Sequence, residues 1–113
     1  MENTRDMLPL TEAFYYILVS LYASPAHGYG MMQDVERMSG GRVRIGAGTL
    51  YTALNNLMKK GLIVPSDEVE VDSRRKTYAI TPLGKKVVMA EMERMEELLR
   101  NGRKVTELGR NGT

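Results

Sequence analysis

A chain of 113 residues, 42 % of them apolar and 27 % charged, has room for one domain around one modest core. Those proportions fit neither a disordered segment nor a membrane-embedded protein. With no cysteine and a single histidine, the chain can build no disulfide, no thiolate or His-rich metal centre, and no nucleophile–base pair for catalysis.

Net charge is only +2, but its distribution is uneven. No Asp or Glu stands between Arg37 and Ser66, where Arg37, Arg42, Arg44, Lys59 and Lys60 contribute +5. Acidic residues gather instead at Asp67–Asp72 and Glu91–Glu97. A uniformly basic stretch in a near-neutral chain points to a face that meets phosphate. The longest apolar run, within Ala13–Ala23, falls short of the ~20 residues of a membrane span. Met1–Asp6 carries both charge signs and no apolar signal core, so a cytoplasmic location is expected.

Thr11 is a fitting N-cap for a first helix over Glu12–Ala23, with Leu10 packing back on it. This helix is apolar nearly all round, which predicts cover on two sides: its own core and a second subunit. Ser24-Pro25 ends it. A second helix follows His27-Gly28-Tyr29-Gly30 and runs to Met38, with Met31, Val35 and Met38 as its core stripe. His27 is expected to cap this helix. Tyr29 has two readings, a phosphate contact or core packing. Ser39-Gly40-Gly41 stops the helix, and Arg42–Ile45 reads as a short strand or an extended connector.

A third helix begins near Ala47–Thr49 and ends at Gly61 as a C-cap. Leu50, Leu54 and Leu57 face the core. At roughly 100° per residue the opposite face holds Gly48, Thr52, Asn55 and Lys59, flanked by Thr49 and Asn56, with Tyr51 on the border. Neutral hydrogen-bonding groups and a cation, without a carboxylate, suit a groove of base edges and phosphates. Thr49, Tyr51 and Lys59 suit phosphate, whereas Thr52 and Asn55 suit bases. Arg42 and Arg44 add unspecific attraction.

Val69 and Val71 alternate with Glu68, Glu70 and Asp72, then a Ser73-Arg74 turn leads to a return strand over Arg75–Ile80. Pro65-Ser66 is expected to separate this ribbon from Leu62-Ile63-Val64. Arg74, Arg75 and Lys76 at its tip are candidates for phosphate contact, in competition with pairing to the ribbon's own acids. Thr81-Pro82 makes an N-cap and first helical position for a last helix ending near Arg100, at Asn101-Gly102. Val88, Met92, Met95 and Leu99 follow the 4-3-4 spacing of a coiled-coil seam. With Phe14 and Ile17 of the first helix they are the expected dimerisation residues. Glu91, Glu93, Glu96 and Glu97 read as a solvated face.

The order of elements predicts a mainly α protein with a small β-ribbon: a winged helix-turn-helix followed by a long C-terminal dimerisation helix. The expected divisions are an N-terminal arm over 1–9, the DNA-binding domain over 10–81, the dimerisation helix over 82–101 and a flexible tail over 102–113. The residues that carry this order also resemble a known family. His27-Gly28-Tyr29-Gly30, Ser39-Gly40-Gly41-Arg42-Val43, Gly48-Thr49-Leu50-Tyr51 with Leu54, Leu57 and Gly61-Leu62-Ile63, and Arg74-Arg75-Lys76 with Tyr78, Ile80-Thr81 and Gly84 are similar to the PadR family. The resemblance runs from about Leu10 to Leu99 and is to the compact members with one helix after the wing.

It implies a homodimeric winged-helix transcriptional regulator, usually a repressor, that needs no cofactor and binds double-stranded DNA as an inverted repeat. It also implies that some compact members bind flat, hydrophobic effectors at the dimer centre, where Phe14, Tyr15, Met89 and Met92 would stand. Members that stack a planar drug place a tryptophan on the last helix, and this chain has none; a Met-filled dimer core is the simpler expectation. The alternative to DNA binding is a winged helix that binds a protein partner, for which acid on the third helix would be the sign.

Overall fold

The computed structural model describes residues 4–66 and 76–110. After a 3-10 turn over Thr4–Met7 come α1 (Glu12–Leu21), β1 (Ala26–His27), α2 (Gly28–Met38), α3 (Ala47–Lys59), β2 (Ile63–Ser66), β3 (Thr77–Ile80) and α4 (Pro82–Arg110). Three short helices, a small antiparallel sheet and one long helix make up the expected architecture.

Local chemistry sets most of the boundaries. The Thr11 hydroxyl accepts from Phe14 N at 3.1 Å and opens α1. His27 opens α2 in the same way, its Nδ1 accepting from Gly30 N at 3.1 Å. Two helices stop in the same manner. Gly40 and Gly61 take left-handed φ values of 64° and 77°, which a side chain would disfavour. Around them Gly41 N donates to Glu36 O and Gly40 N to Arg37 O, while Leu62 N donates to Leu57 O and Gly61 N to Met58 O. Both pairs are Schellman closures, which satisfy carbonyls the helix leaves open.

The core lies where α1, α2, α3 and the first turns of α4 converge on the sheet. Ile17, Leu18 and Leu21 meet Met31, Leu50, Leu54 and Leu57, closed by Leu62, Ile63, Tyr78, Val87 and Val88. Each such aliphatic side chain contributes roughly 1.5–3 kcal/mol when fully buried. Met38, placed by its spacing in the α2 core stripe, stays exposed at the helix end.

The strand order is β1-β3-β2, with both pairings antiparallel. β1 is only two residues, Ala26 and His27, set opposite Tyr78 and Thr77. Pro65-Ser66 does not break the chain between a strand and the ribbon as expected. Both residues belong to β2, Pro65 facing Tyr78 and Ser66 facing Thr77. β2 is an edge strand, and a proline there can turn its missing N–H away from the neighbour. The expected ribbon over Val69–Val71, its Ser73-Arg74 turn and the residues Arg74 and Arg75 lie outside the described residues. Arg42–Ile45 is not a strand but a connector that bends at Arg42.

Thr81 joins sheet to α4. Its hydroxyl accepts from Gly84 N at 2.9 Å and donates to Gly61 O at 2.7 Å, while its N–H donates to Leu62 O at 3.0 Å. From there α4 runs for 29 residues, roughly 44 Å at the usual helical rise. Asn101-Gly102 does not end it, and the loose tail expected from residue 102 is helical as far as Arg110. An interior glycine costs a helix only about 1 kcal/mol relative to alanine. Arg103, Lys104, Glu107 and Leu108 are good helix formers, and no proline follows. Among the described residues, no helix is long and apolar enough to cross a membrane.

Candidate nucleic-acid interface

The amphipathic pattern of α3 divides cleanly in space. Leu50, Ala53, Leu54 and Leu57 are buried. Ala47, Gly48, Thr49, Thr52, Asn55, Asn56 and Lys59 are exposed on the other side. Tyr51, placed on the border by its spacing, is 48 % exposed. The whole outer face therefore offers hydroxyls, amides and an ammonium. At its N-terminal end Gly46 caps by backbone alone, with no side-chain cap hydrogen bond. Free N–H groups at such an end attract anions.

The flanking candidates fall into different environments. Tyr29 is 59 % exposed, so the core-packing reading is set aside. Arg44 lies 3.8 Å from Glu36 with most of its side chain in solvent, a loose ion pair. Arg42 is held more firmly: its Nη1 and Nη2 donate to Glu12 Oε1 at 3.1 Å and Oε2 at 2.6 Å. That forked bond keeps the Glu12 carboxyl below the usual carboxylate range. Arg42 is thus partly neutralised by a residue thirty positions away. Lys76 is exposed at the start of the return strand. Among the described residues no cluster of His, Asp or Glu is suited to a metal ion.

Comparison with known proteins matches this arrangement. The model of the transcriptional regulator PadR-like family covers residues 17–90, from α1 into α4. The chain belongs to the PadR-like family. It is 31 % identical over 85 residues to the transcriptional regulator Rv3488 of Mycobacterium tuberculosis, covering 75 % of this chain and 77 % of that one. It is 33 % identical over 87 residues, 77 % of its length, to an uncharacterized 37.1 kDa protein in transposon TN4556 of Streptomyces fradiae, of which it spans only 24 %. Among solved structures, a transcriptional regulator from Clostridium thermocellum superposes with a TM-score of 0.69 at 27 % identity, over 81 % of this chain and 87 % of that one. Bacillus subtilis PadR, solved in complex with operator DNA, shares the fold with a TM-score of 0.63 at 21 % identity, over 74 % and 48 %.

In this PadR-like chain the residues expected at a dimer seam separate into two groups. Ile17 and Val88 are 0 % and 2 % exposed and belong to the chain's own core, so neither presents a surface to a second subunit. Phe14 is half-buried against that core. Met92, Met95 and Leu99 are 37 %, 37 % and 57 % exposed, and Leu98 stands beside them. The stripe thus starts inside the subunit and emerges from it as α4 outruns the core. Phe14 and Tyr15 pack on the core, whereas Met89 lines a shallow groove with Tyr22, Lys85 and Glu93 in which Phe14, Tyr15 and Met92 take no part.

One residue departs from its expected place altogether. Glu91, expected on the solvated face of α4, is 2 % exposed. Its Oε2 accepts from Leu10 N at 2.8 Å and from Arg94 Nη2 at 3.1 Å, and its Oε1 accepts from Arg94 Nε. The Arg94 guanidinium, assisted by the Leu10 N–H, holds its carboxyl below the usual range against the opposing effect of burial. The spacing held the signal: Glu91 stands four residues after Val87 and three after Val88, in the middle of the core stripe.

Proposed function

We propose that this chain is a sequence-specific DNA-binding repressor that acts as a homodimer on an inverted-repeat operator. The outer face of α3 carries the reading: Thr49, Thr52, Asn55 and Lys59 are all exposed, and no carboxylate accompanies them from Arg37 to Ser66. A face of this chemistry can accept and donate at base edges without repelling the phosphate backbone. In this reading α3 lies in the major groove, with Asn55 and Thr52 toward the bases. Tyr51, Thr49 and Lys59 reach phosphates. Tyr29, Arg44 and Lys76, with Arg74 and Arg75, add backbone contacts, and Arg42 contributes what its pairing with Glu12 leaves. The exposed Met92, Met95 and Leu99 support a second copy docking along α4. Two-fold symmetry then sets the half-sites roughly 34–36 Å apart.

The test is selection from a random duplex library followed by salt-dependent binding to the enriched sequence. An inverted repeat is expected, with affinity falling steeply as salt rises. Asn55→Ala should weaken binding by roughly 5- to 150-fold and relax preference at one position of each half-site. Lys59→Ala should weaken all sequences alike and lower the salt slope by about 1. A protein that passes through a duplex-DNA column at low salt would overturn the reading in favour of a protein-binding winged helix.

A further inference from the structure

The start of α2 and the body of α3 meet at one point. A Cβ built on Gly28 would lie 2.9 Å from the Tyr51 hydroxyl oxygen, 3.3 Å from Cζ of the same ring and 3.1 Å from Cδ2 of Leu50. Side-chain Cβ atoms essentially never approach a neighbour within 3.0 Å. Gly28 is buried, and it is not among the glycines with positive φ. Backbone conformation therefore does not require a glycine here, but a Cβ would have to displace the far end of the Tyr51 side chain.

The surroundings leave that room little freedom. His27 is fixed on one side by pairing with Thr77 of β3 and by capping α2. Tyr78, the residue opposite Ala26, is buried on the same strand; burial first, and then the nearby Tyr51, push its phenol above the ordinary range. Half of the Tyr51 side chain still faces solvent at the edge of the α3 outer face. Its hydroxyl thus reaches across from α3 to the start of α2.

We propose that Gly28 is a positioning residue for Tyr51: its bare Cα lets the tyrosine ring lie across the α2–α3 junction and so sets where the hydroxyl meets a DNA phosphate. The inference rests on the DNA-facing role of α3 given above and adds that α2 aims one of its side chains. Hydrogen bonds to phosphate weaken steeply with misalignment, so a ring displaced by a single methyl group loses its contact. The effect should depend on the hydroxyl, the part of the side chain nearest to Gly28.

A mutant cycle of G28A, Y51F and the double variant tests this on a fluorescein-labelled mixed-sequence duplex at low salt, with the Tyr51 ring resonances followed by NMR. G28A is expected to shift those resonances and to weaken binding about tenfold, the scale of one lost hydrogen bond to a charged group. In the Y51F background the same substitution should cost less than about twofold, since the closest contact is gone. Equal losses in both backgrounds, or no loss with Tyr51 present, would overturn the proposal. If G28A loses cooperative melting, Y51F must restore it; failure of both to fold would assign the glycine to Leu50 packing instead. Wild-type protein that binds no duplex would refute the DNA reading and the affinity role with it, whereas unshifted Tyr51 resonances in G28A would refute the positioning alone.

Discussion

Replacing Gly84 by alanine sets two physical effects against each other, and the structure decides the sign. Alanine is favoured over glycine inside a helix by about 1 kcal/mol, so from α4 alone G84A should stabilise. A Cβ at this position, however, would lie 2.3 Å from the Leu62 carbonyl oxygen and 2.7 Å from Cγ1 of Ile80. Ordinary contact begins near 3.4 Å, so the first turn of α4 must retreat by about an ångström. The obstacle is backbone and cannot rotate away. That same carbonyl accepts from Thr81 N, and the Thr81 hydroxyl caps α4 at Gly84 N. Overpacking costs typically about 1–3 kcal/mol and a disturbed cap about 1 more. The net expectation is a loss of about 1–3 kcal/mol. At roughly 4–8 °C per kcal/mol for a domain of this size, Tm should fall by about 5–20 °C. Thermal and urea unfolding read this, at matched protein concentration because the melting of any oligomer depends on it. Gly102→Ala is the internal contrast: nothing lies within 4 Å of its Cβ, so it should gain up to about 1 kcal/mol. A G84A protein that melts above wild type would refute the packing argument, and a G102A protein with unchanged stability would refute a helix continuing past that residue.

Three other perturbations have defined outcomes. Glu91 has a depressed folded pKa, so its contribution is complete above the ordinary value of 4.5 and is lost as pH falls through the lower folded value. Glu91→Gln should lower the urea midpoint at neutral pH and flatten the acid side of the stability profile; a profile parallel to wild type would exclude a stabilising ion pair with Arg94. Met95→Lys with Leu99→Lys should yield monomers by sedimentation and weaken operator binding sharply, and a persistent dimer would place the seam elsewhere. Glu12→Gln should leave Tm unchanged, because the pair is exposed, yet tighten low-salt binding to mixed duplex by freeing Arg42. Unaltered binding would mean Arg42 stays away from DNA.

The features readable in advance were those whose causes are local. Thr11, His27 and Thr81 cap helices through a side chain acting three residues along, and Gly61 closes α3 with its neighbours. Leu50, Leu54 and Leu57 were placed by spacing alone. What escaped depends on partners far along the chain. β1 has two residues and no period to detect, and exists because β3 has a free edge. Pro65 fits a strand only because that strand lies at the margin of the sheet. In α1, apolar nearly all round, no pattern says that Ile17 turns inward. Arg42 and Glu91 look solvated until Glu12 and Leu10 are brought beside them. Gly102 marks a stop in most contexts, and here its modest cost is outweighed by the residues that follow.

The two residues of β1 have a mechanical consequence. His27 is at once the strand partner of Thr77, the first residue of β3 and the partner of Ser66 at the end of β2, and the cap that starts α2. Gly28, next in the chain, leaves open the space beside it into which the Tyr51 hydroxyl of α3 reaches. The sheet, α2 and α3 are therefore linked through two consecutive positions, His27 and Gly28. On the proposed DNA-facing role of α3, they should tilt together against the duplex instead of adapting one by one, so adjustment to an imperfect site would fall on the DNA.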